Sequence, residues 1–391
     1  MGKKNSKPKP PKNNKNNPEQ NSATKEKRYM IDPVFGRMVF NKIVGAWVPA
    51  ANEDMYEQSH LSYLNSKKEN QKYLKTFNIN PENIKNFYQD ENQHQSLTVI
   101  KKIPIKKEVY SSACFLNDGR LAINWDYQLK IYSKDFETIE QKISTKSIFI
   151  TQLKDGSLVN TKYNTADIYK YDATENKFIL DYGLKCINSG KKVVELSNDR
   201  LAFLADDIAI YVKEEGKYVQ NGKNLSITTI DDFISLNDNE IVSISGQEST
   251  LTFWDLTTRN ITAQIGDIES FGRACLLLFD KTLIVGGANK KFYSGAVKYI
   301  YVINVDNKEL IKKYSFYENI WCTIKLNDKE FITGETNGII NKYRLEDNEV
   351  KLMEKNEEHG KEIVSELAFS KDNNHLASLS EHQFIIYKIS E

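Results

Sequence analysis

The sequence predicts an all-β fold: a seven-bladed β-propeller preceded by a small, partly helical N-terminal extension. From about residue 97 onward, short β-type runs alternate with turn residues. The same arrangement of three apolar runs around an acidic turn recurs seven times. Successive turn acids are about 42 residues apart on average, the length expected for a propeller blade of several strands. They are Asp118, Asp155, Asp199, Asp238, Asp280, Asp328 and Asp372.

The number of repeats has a physical reason. A single repeat is a twisted sheet with two faces to cover and too little core to be stable alone. Packing blades face to face around a central channel buries those faces. The last repeat ends with its third strand at Ile389. We therefore expect Ser96–Ile105 to supply its fourth strand and to pair with Phe384–Ile389.

Three segments follow from the change of composition along the chain: a disordered basic tail (1–28), a partly helical arm (29–95) and the propeller (96–391). The tail contains nine basic and two acidic residues, a charge of +7, which leaves −6 for the remainder of the chain. Its Lys, Asn and Pro content predicts disorder, because it offers too little apolar surface to bury.

The arm combines extended and helical patterns. Residues 29–50 are mostly apolar and interrupted by Pro and Gly, which predicts short extended pieces against the folded domain. Residues 52–76 are predicted to be helical, since Asn52 can cap the helix and apolar residues recur near one face. A second short helix is expected to begin at Asn80–Pro81 and to bury Ile84.

Composition places the chain among cytosolic globular proteins. Hydrophobic residues make up 40% of it and charged residues 27%. Met1 is followed by lysines and prolines, not by an apolar leader, and no apolar run approaches the roughly 18 residues of a membrane-spanning helix. The four cysteines are widely scattered, which favours buried thiols over disulfides or a metal site.

Two stretches resemble the WD-repeat family of β-propellers. Trp254–Asp255 matches the dipeptide that names the family, and His359–Ile389 looks like one of its blades over the whole length. The resemblance covers about residues 97–391, with most blades degenerate. It implies a hydrogen-bonded network in which His359 and Ser378 match two members, while Tyr387 stands in place of the usual Trp.

The N-terminus carries a lipidation motif. Removal of Met1 exposes Gly2, and Ser6 stands where M-G-x-x-x-[ST] requires a small hydroxyl residue. The string resembles the myristoylated N-termini of frequenin-type calcium sensors and Src-family kinases. We therefore expect Gly2 to be N-myristoylated.

One myristoyl chain binds a bilayer only marginally, so a second signal is needed. The tail lysines supply it, because each adds up to about 1 kcal/mol on an anionic leaflet. The lysines are Lys3, Lys4, Lys7, Lys9, Lys12 and Lys15. Phosphorylation of Ser6 would place negative charge among them and is a candidate release switch. The expected location is the cytosolic face of a membrane.

No motif for catalysis or for a bound group is present. A phosphate-binding P-loop, H-E-x-x-H, G-x-S-x-G and an EF-hand loop are all missing. We therefore expect no enzymatic activity, no cofactor and no metal. Nucleic-acid binding is not expected either, since the tail lacks interleaved aromatic residues and the rest of the chain is acidic.

The function predicted is an interaction scaffold whose propeller surfaces bind unknown partner proteins. The insertion at Ala288–Lys298 is the candidate recognition loop, because exposed Phe292 and Tyr293 would suit an interface. A structural subunit of a cytoskeletal or ciliary assembly, docked through residues 29–95, is the alternative. Detergent extraction distinguishes the two functions, because detergent releases a membrane-tethered scaffold and leaves an assembly subunit in the pellet.

Overall fold

A computed structural model describes residues 29–32, 36–41, 46–49, 74–75, 84–86 and 96–390, with gaps at 106–111, 126, 186–189, 198, 228, 269–273, 288–297 and 317–318. The described residues form 33 β-strands and no helix. The chain divides between Asn65 and Ser66 into two compact units.

The first unit contains a three-stranded antiparallel sheet. Its strands, in spatial order, are β1 (Tyr29–Asp32), β2 (Gly36–Asn41) and β3 (Ala46–Pro49). Short extended pieces were expected between residues 29 and 50, and these strands agree with that prediction.

The second unit begins with β4 (Leu74–Lys75), β5 (Ile84–Asn86) and β6 (Leu97–Pro104). Blade one consists of β7 (Ser112–Phe115), β8 (Leu121–Trp125), β9 (Gln128–Tyr132) and β10 (Ile139–Ser144). Blade two consists of β11 (Phe149–Gln152), β12 (Leu158–Thr161), β13 (Thr165–Asp172) and β14 (Lys177–Lys185). Blade three consists of β15 (Lys192–Leu196), β16 (Arg200–Leu204), β17 (Ile208–Glu214) and β18 (Lys217–Gln220).

Blade four consists of β19 (Asp232–Asn237), β20 (Glu240–Ser245), β21 (Thr250–Asp255) and β22 (Ile261–Ile265). Blade five consists of β23 (Ala274–Phe279), β24 (Thr282–Gly287), β25 (Lys298–Asn304) and β26 (Glu309–Phe316). Blade six consists of β27 (Ile320–Lys325), β28 (Glu330–Glu335), β29 (Ile340–Glu346) and β30 (Glu349–Asn356). Blade seven consists of β31 (Glu366–Ser370), β32 (His375–Leu379) and β33 (Gln383–Ile389), followed in space by β6.

The ring closes as the sequence predicted. β6 pairs antiparallel with β33, so that Ile103 lies opposite Phe384 and Leu97 opposite Ile389. The innermost strands of successive blades contact one another, and β31 contacts β7. The predicted seven-bladed propeller is therefore confirmed, together with its closure by a strand from the N-terminal side.

The core lies between blades and not within them. Seven hydrophobic clusters are present, and each is shared by two neighbouring blades, including the pair formed by blades seven and one. Each blade therefore depends on its neighbours for burial, which is the reason a single repeat is not stable alone.

One buried position recurs in the third strand of every blade. The strand registers make these residues equivalent: Tyr132, Tyr169, Tyr211, Trp254, Ile303, Tyr343 and Tyr387. All seven are buried. A large side chain at this point fills the space between neighbouring blades, so Tyr serves where WD repeats usually have Trp.

The hydrogen bonds expected from the WD-repeat resemblance are present in two blades. In blade seven, His359 Nε2 lies 2.6 Å from Ser378 Oγ. In blade four, Trp254 Nε1 donates to Ser243 Oγ at 2.8 Å. Burial lowers the pKa of His359 to about 4, so its imidazole is neutral at physiological pH.

A β-bulge recurs in the outermost strand of six blades. In each, one residue is inserted at the same step of the ladder between the third and fourth strands. The inserted residues are Ile100, Glu140, Asp181, Thr262, Ile311 and Met353. A bulge bends and twists its strand locally, so these outer strands share one shape.

The helices predicted for the arm are wrong where the structure describes it. Leu74–Lys75 (β4) pairs with β22, and Ile84–Asn86 (β5) pairs with β26, both in parallel. The outer strand of a blade presents unpaired N–H and C=O groups, and an extended segment can satisfy them. That tertiary pairing outweighs a weak local helix preference. The other residues of the two predicted helices lie outside the described part of the chain.

Candidate functional site

The antiparallel blades give the propeller two faces. The turns that join first to second and third to fourth strands lie at one edge of every blade, which we call the turn face. The turns joining second to third strands, and the connections between blades, lie at the opposite edge, which we call the loop face. The predicted acidic turns are on the turn face; Asp118 and Asp155, for example, each accept a hydrogen bond from the backbone two residues later.

Exposed large apolar side chains are not spread evenly over the described residues. They occur on blades seven, one, two and three, and most of them belong to blades one and two. They are Ile100, Tyr127, Ile139, Tyr163, Tyr171, Ile179, Leu180 and Val219. Blades one and two therefore carry most of the exposed large apolar side chains of the described residues.

Two of these residues occupy matching turns on the loop face. Tyr127 is 67% exposed and Tyr163 is 61% exposed. Each lies in a two-residue turn between the second and third strands, one in blade one and the other in blade two. The turns are tight because Tyr127 itself and Asn164 adopt a positive φ. Two tyrosines therefore project from neighbouring blades on one face.

A buried polar network joins the two blades beneath these turns. Asn124 of blade one donates to Asn160 Oδ1 of blade two at 3.2 Å, and Asn160 in turn donates to Thr145 Oγ1 at 3.1 Å. Ser147 also donates to Asn160 Oδ1. The N–H of Thr145 bonds the carbonyl oxygen of Tyr127 at 2.9 Å. The network links the two blades beneath the turns, and a preorganised surface lowers the cost of binding a partner.

Lysines flank the tyrosines. Lys146 Nζ lies 5.9 Å from the centre of the Tyr127 ring, and its side chain is exposed. Lys185, also exposed, lies opposite Thr165 at the end of β14, close to the turn of Tyr163. We call Tyr127, Lys146, Tyr163 and Lys185 the tyrosine–lysine patch. It combines aromatic surface with positive charge.

A cleft of about 400 Å³ lies between the same two blades on the turn face. Arg120 forms its floor and bonds Asp118 at 2.8 Å and Glu140 at 3.3 Å. The Arg120 guanidinium also lies 5.0 Å from the centre of the Tyr171 ring. Through these contacts Arg120 joins blade one to blade two, and its guanidinium is engaged by neighbouring side chains.

The described residues include candidate metal ligands and two thiols. Within them, no group of three His, Cys, Asp or Glu side chains is arranged to hold a metal ion. Cys114 and Cys322 form no disulfide and are partly buried, and burial raises the pKa of the Cys114 thiol to about 11, which makes it a poor nucleophile. Nor does this part of the chain contain a helix of the length and apolarity needed to cross a bilayer.

The site residues predicted from the sequence fall outside the described part of the chain. Gly2, Ser6 and the tail lysines are outside the described residues, as are Phe292 and Tyr293 of the candidate recognition loop. Those assignments stay predictions. Tyr127 and Tyr163 were not singled out from the sequence. The available signal was an aromatic residue beside an Asp or Asn, residue types common in turns, in each of two successive repeats.

The seven blades, each of four strands, and their closure by β6 define the fold as a seven-bladed β-propeller. A chain from the crystal structure of the mitotic checkpoint complex is similar, with a TM-score of 0.62 and 11% identity over 78% of this chain and 98% of that one. The WD40 repeats of RRP9 give a TM-score of 0.57 and 11% identity, covering 75% of this chain and 98% of that one. The β-propeller domain of Cps50 (Swd1) from Myceliophteria thermophila gives 0.58 and 12%, covering 75% and 100%. No protein-family model and no curated protein matches the sequence.

Proposed function

We propose that this protein is a non-enzymatic interaction scaffold, held at the cytosolic face of a membrane, whose propeller binds partner proteins. The observation that carries the scaffold role is the tyrosine–lysine patch. Tyrosine offers large contact area at a low cost in side-chain entropy and is enriched where binding energy is concentrated. The rigid polar network beneath the patch supports the same role.

The charge of the patch defines the kind of partner. Lys146 and Lys185 favour carboxylate or phosphorylated groups, and the two tyrosines favour an apolar or aromatic anchor. The partner segment on the loop face of blades one and two is therefore acidic and carries at least one large apolar residue.

The test compares partners recovered by affinity purification with the intact protein and with a double variant, Tyr127→Ala with Tyr163→Ala. Proteins bound through the patch should be lost from the double variant. They should be retained by Tyr171→Ala, a matched control whose tyrosine is 41% exposed on the turn face. Recovery of the same proteins by wild type and double variant would contradict a binding role for the patch.

The membrane half of the proposal rests on the N-terminal motif. Gly2 and Ser6 meet the requirements for N-myristoylation, and the tail lysines supply the electrostatic signal that a single acyl chain needs. The acyl chain provides depth in the bilayer, and the lysines select an anionic leaflet. Phosphate on Ser6 would add about −1.5 to −2 of charge beside Lys7 and weaken that attraction.

Co-sedimentation with phosphatidylserine vesicles tests this half. Wild type expressed with an N-myristoyltransferase should sediment, and Gly2→Ala should stay in solution. Raised salt should reduce the binding of wild type, because it screens the lysines. Equal sedimentation of the two proteins would exclude a lipid anchor. In cells, a detergent-resistant pool would instead favour the cytoskeletal or ciliary assembly.

A further inference from the structure

Two outer strands of the propeller already carry an added strand. β4 lies parallel to β22 and pairs with Gln264 and Ile265. β5 lies parallel to β26 and pairs with the three residues Lys313 to Ser315. The bulge residue is Thr262 in β22 and Ile311 in β26. In both blades the added strand pairs with residues that follow the bulge, toward the loop face. Strand addition is therefore a mode of binding that this fold accommodates at a defined position.

The outer strand of blade two, β14, has a bulge at the same position as β22 and β26 but carries no added strand within the described residues. Its bulge is at Asp181, so the positions equivalent to those that pair with β4 and β5 begin at Gly183. Within the described residues, β14 is the last strand of its sheet. Six of its nine residues are exposed, whereas only one of the five residues of β22 is. β14 is thus a long strand whose outer edge is open to solvent.

The backbone of β14 directs hydrogen-bonding groups outward. Phe178 turns both its N–H and its C=O toward Gln141 of blade one. Leu180, two residues later, therefore presents its own backbone in the same outward direction. Its side chain is 54% exposed, and that of the adjacent Ile179 is 43% exposed. An exposed edge with apolar side chains is the usual template for pairing with another chain.

Charge at the two ends of β14 restricts what can pair there. Lys177 and Lys185 are both exposed. Neither makes an ion pair with any residue that the structure describes, whereas Asp181 is engaged by Lys170 at 2.8 Å. The open edge therefore has apolar character at its centre and positive charge at both ends. Gly183 has no side chain to obstruct an approaching backbone.

We propose that the outer edge of β14, from Leu180 to Lys185, binds an extended segment of a partner protein as a parallel fifth strand. The segment has β-branched or other apolar residues at its centre and carboxylates at its ends. Main-chain hydrogen bonds supply affinity, and contacts with Leu180 and the two terminal lysines supply specificity. This site goes beyond the proposed function, since it lies on the outer rim and shares only Lys185 with the tyrosine–lysine patch.

Fluorescence anisotropy with a labelled peptide, Glu-Glu-Val-Thr-Val-Ile-Glu-Glu, tests the site on the full-length protein. The wild type should bind this peptide and should bind one with lysines at both ends about tenfold more weakly. A version with Pro at the centre should not bind, because Pro cannot pair in a ladder. Bound peptide should slow amide exchange at Leu180 and Gly183. Binding without that protection would overturn strand addition.

Three variants locate the site. Leu180→Asp should weaken binding about tenfold without lowering the melting temperature. Val219→Asp on the outer strand of blade three, a matched exposed site, should leave binding unchanged. Lys177→Glu with Lys185→Glu should reverse the preference in favour of the lysine-ended peptide. Unaltered preference in that double variant, or equal loss in both aspartate variants, would overturn the proposal. So would a dimer that Leu180→Asp dissociates, because the occupant would then be a second copy.

Discussion

The side-chain amide of Gln141 pairs with the backbone of Phe178 in the neighbouring blade. It donates to the Phe178 carbonyl oxygen at 2.8 Å and accepts from the Phe178 N–H at 2.9 Å. A side chain thus forms the two bonds that an adjacent strand would form. The hydroxyl of Tyr182 accepts a hydrogen bond from the N–H of Tyr218 in the next blade at 3.1 Å. Here too, a side chain of one outer strand bonds the backbone of the outer strand of the neighbouring blade.

Gln141→Ala should destabilise the propeller by about 1–2 kcal/mol, since it leaves two partly buried backbone groups without partners. Urea denaturation measures the change. Lys142→Ala, on the next residue of β10 with an exposed side chain, is the matched control and should shift stability by less than about 0.5 kcal/mol. Equal effects of the two substitutions would show that the amide pair contributes nothing.

Glu354 secures the strand that closes the ring. Its carboxylate is buried and accepts from Ser96 N at 2.9 Å, Ser96 Oγ at 2.6 Å and Leu97 N at 3.1 Å. Glu354→Ala should cost about 2–4 kcal/mol, because these charge-assisted bonds are lost in a buried position. Hydrogen exchange at Leu97 should accelerate as β6 loosens.

Glu358→Ala is the control for Glu354. Glu358 forms a surface ion pair with Lys102 at 2.7 Å, and exposed pairs contribute only about 0–1 kcal/mol. If the Glu354 variant were no less stable than the Glu358 variant, the closing strand would not depend on the carboxylate.

Acid should destabilise the propeller through His359. Burial lowers the pKa of its imidazole to about 4, below the ordinary 6.5 that applies in the unfolded chain. Below pH 6.5 the unfolded chain binds a proton that the folded state binds only near pH 4. Stability from this group is therefore complete above pH 6.5 and is lost as pH falls toward 4, by about 3 kcal/mol in all. His359→Gln should flatten that part of the stability–pH curve, and an unchanged curve in this variant would show that the imidazole is not responsible.

Gly338 is expected to tolerate no side chain. Its φ is +85°, and a Cβ would lie 2.5 Å from the carbonyl oxygen of Gly360 on the connection to blade seven. Gly338→Ala should cost about 2–4 kcal/mol, combining backbone strain with a clash against main chain. Gly156 has the same φ and open space around it, so Gly156→Ala should cost only about 1–2 kcal/mol. Equal losses in the two variants would mean that strain alone is responsible.

Blade number and closure could be predicted because they depend on patterns repeated along the chain. The turn acids mark each repeat, and the third strand that ends at Ile389 identifies the missing partner. The helices of the arm were mispredicted because the competing interaction is remote in sequence. Nothing near Leu74 or Ile84 indicates that the edges of β22 and β26, more than 170 residues later, are open to them.

The candidate site was less predictable than the fold. Tyr132 and Tyr169 are buried, while Tyr127 and Tyr163 are exposed, and local sequence does not separate the two pairs. The difference arises because the first pair faces a neighbouring blade and the second pair occupies turns on the loop face. Exposure of this kind is set by the assembled ring.

The closure by β6 also determines how the propeller bears mechanical load. Tension applied at Ser96, immediately before β6, reaches β33 through the hydrogen bonds between the two strands. For a pull along the strand axis, those bonds are loaded together in shear and are not broken one at a time. Glu354 transfers part of the load to blade six. Force applied along β6 is therefore shared by many hydrogen bonds at once, so the closure resists opening of the ring.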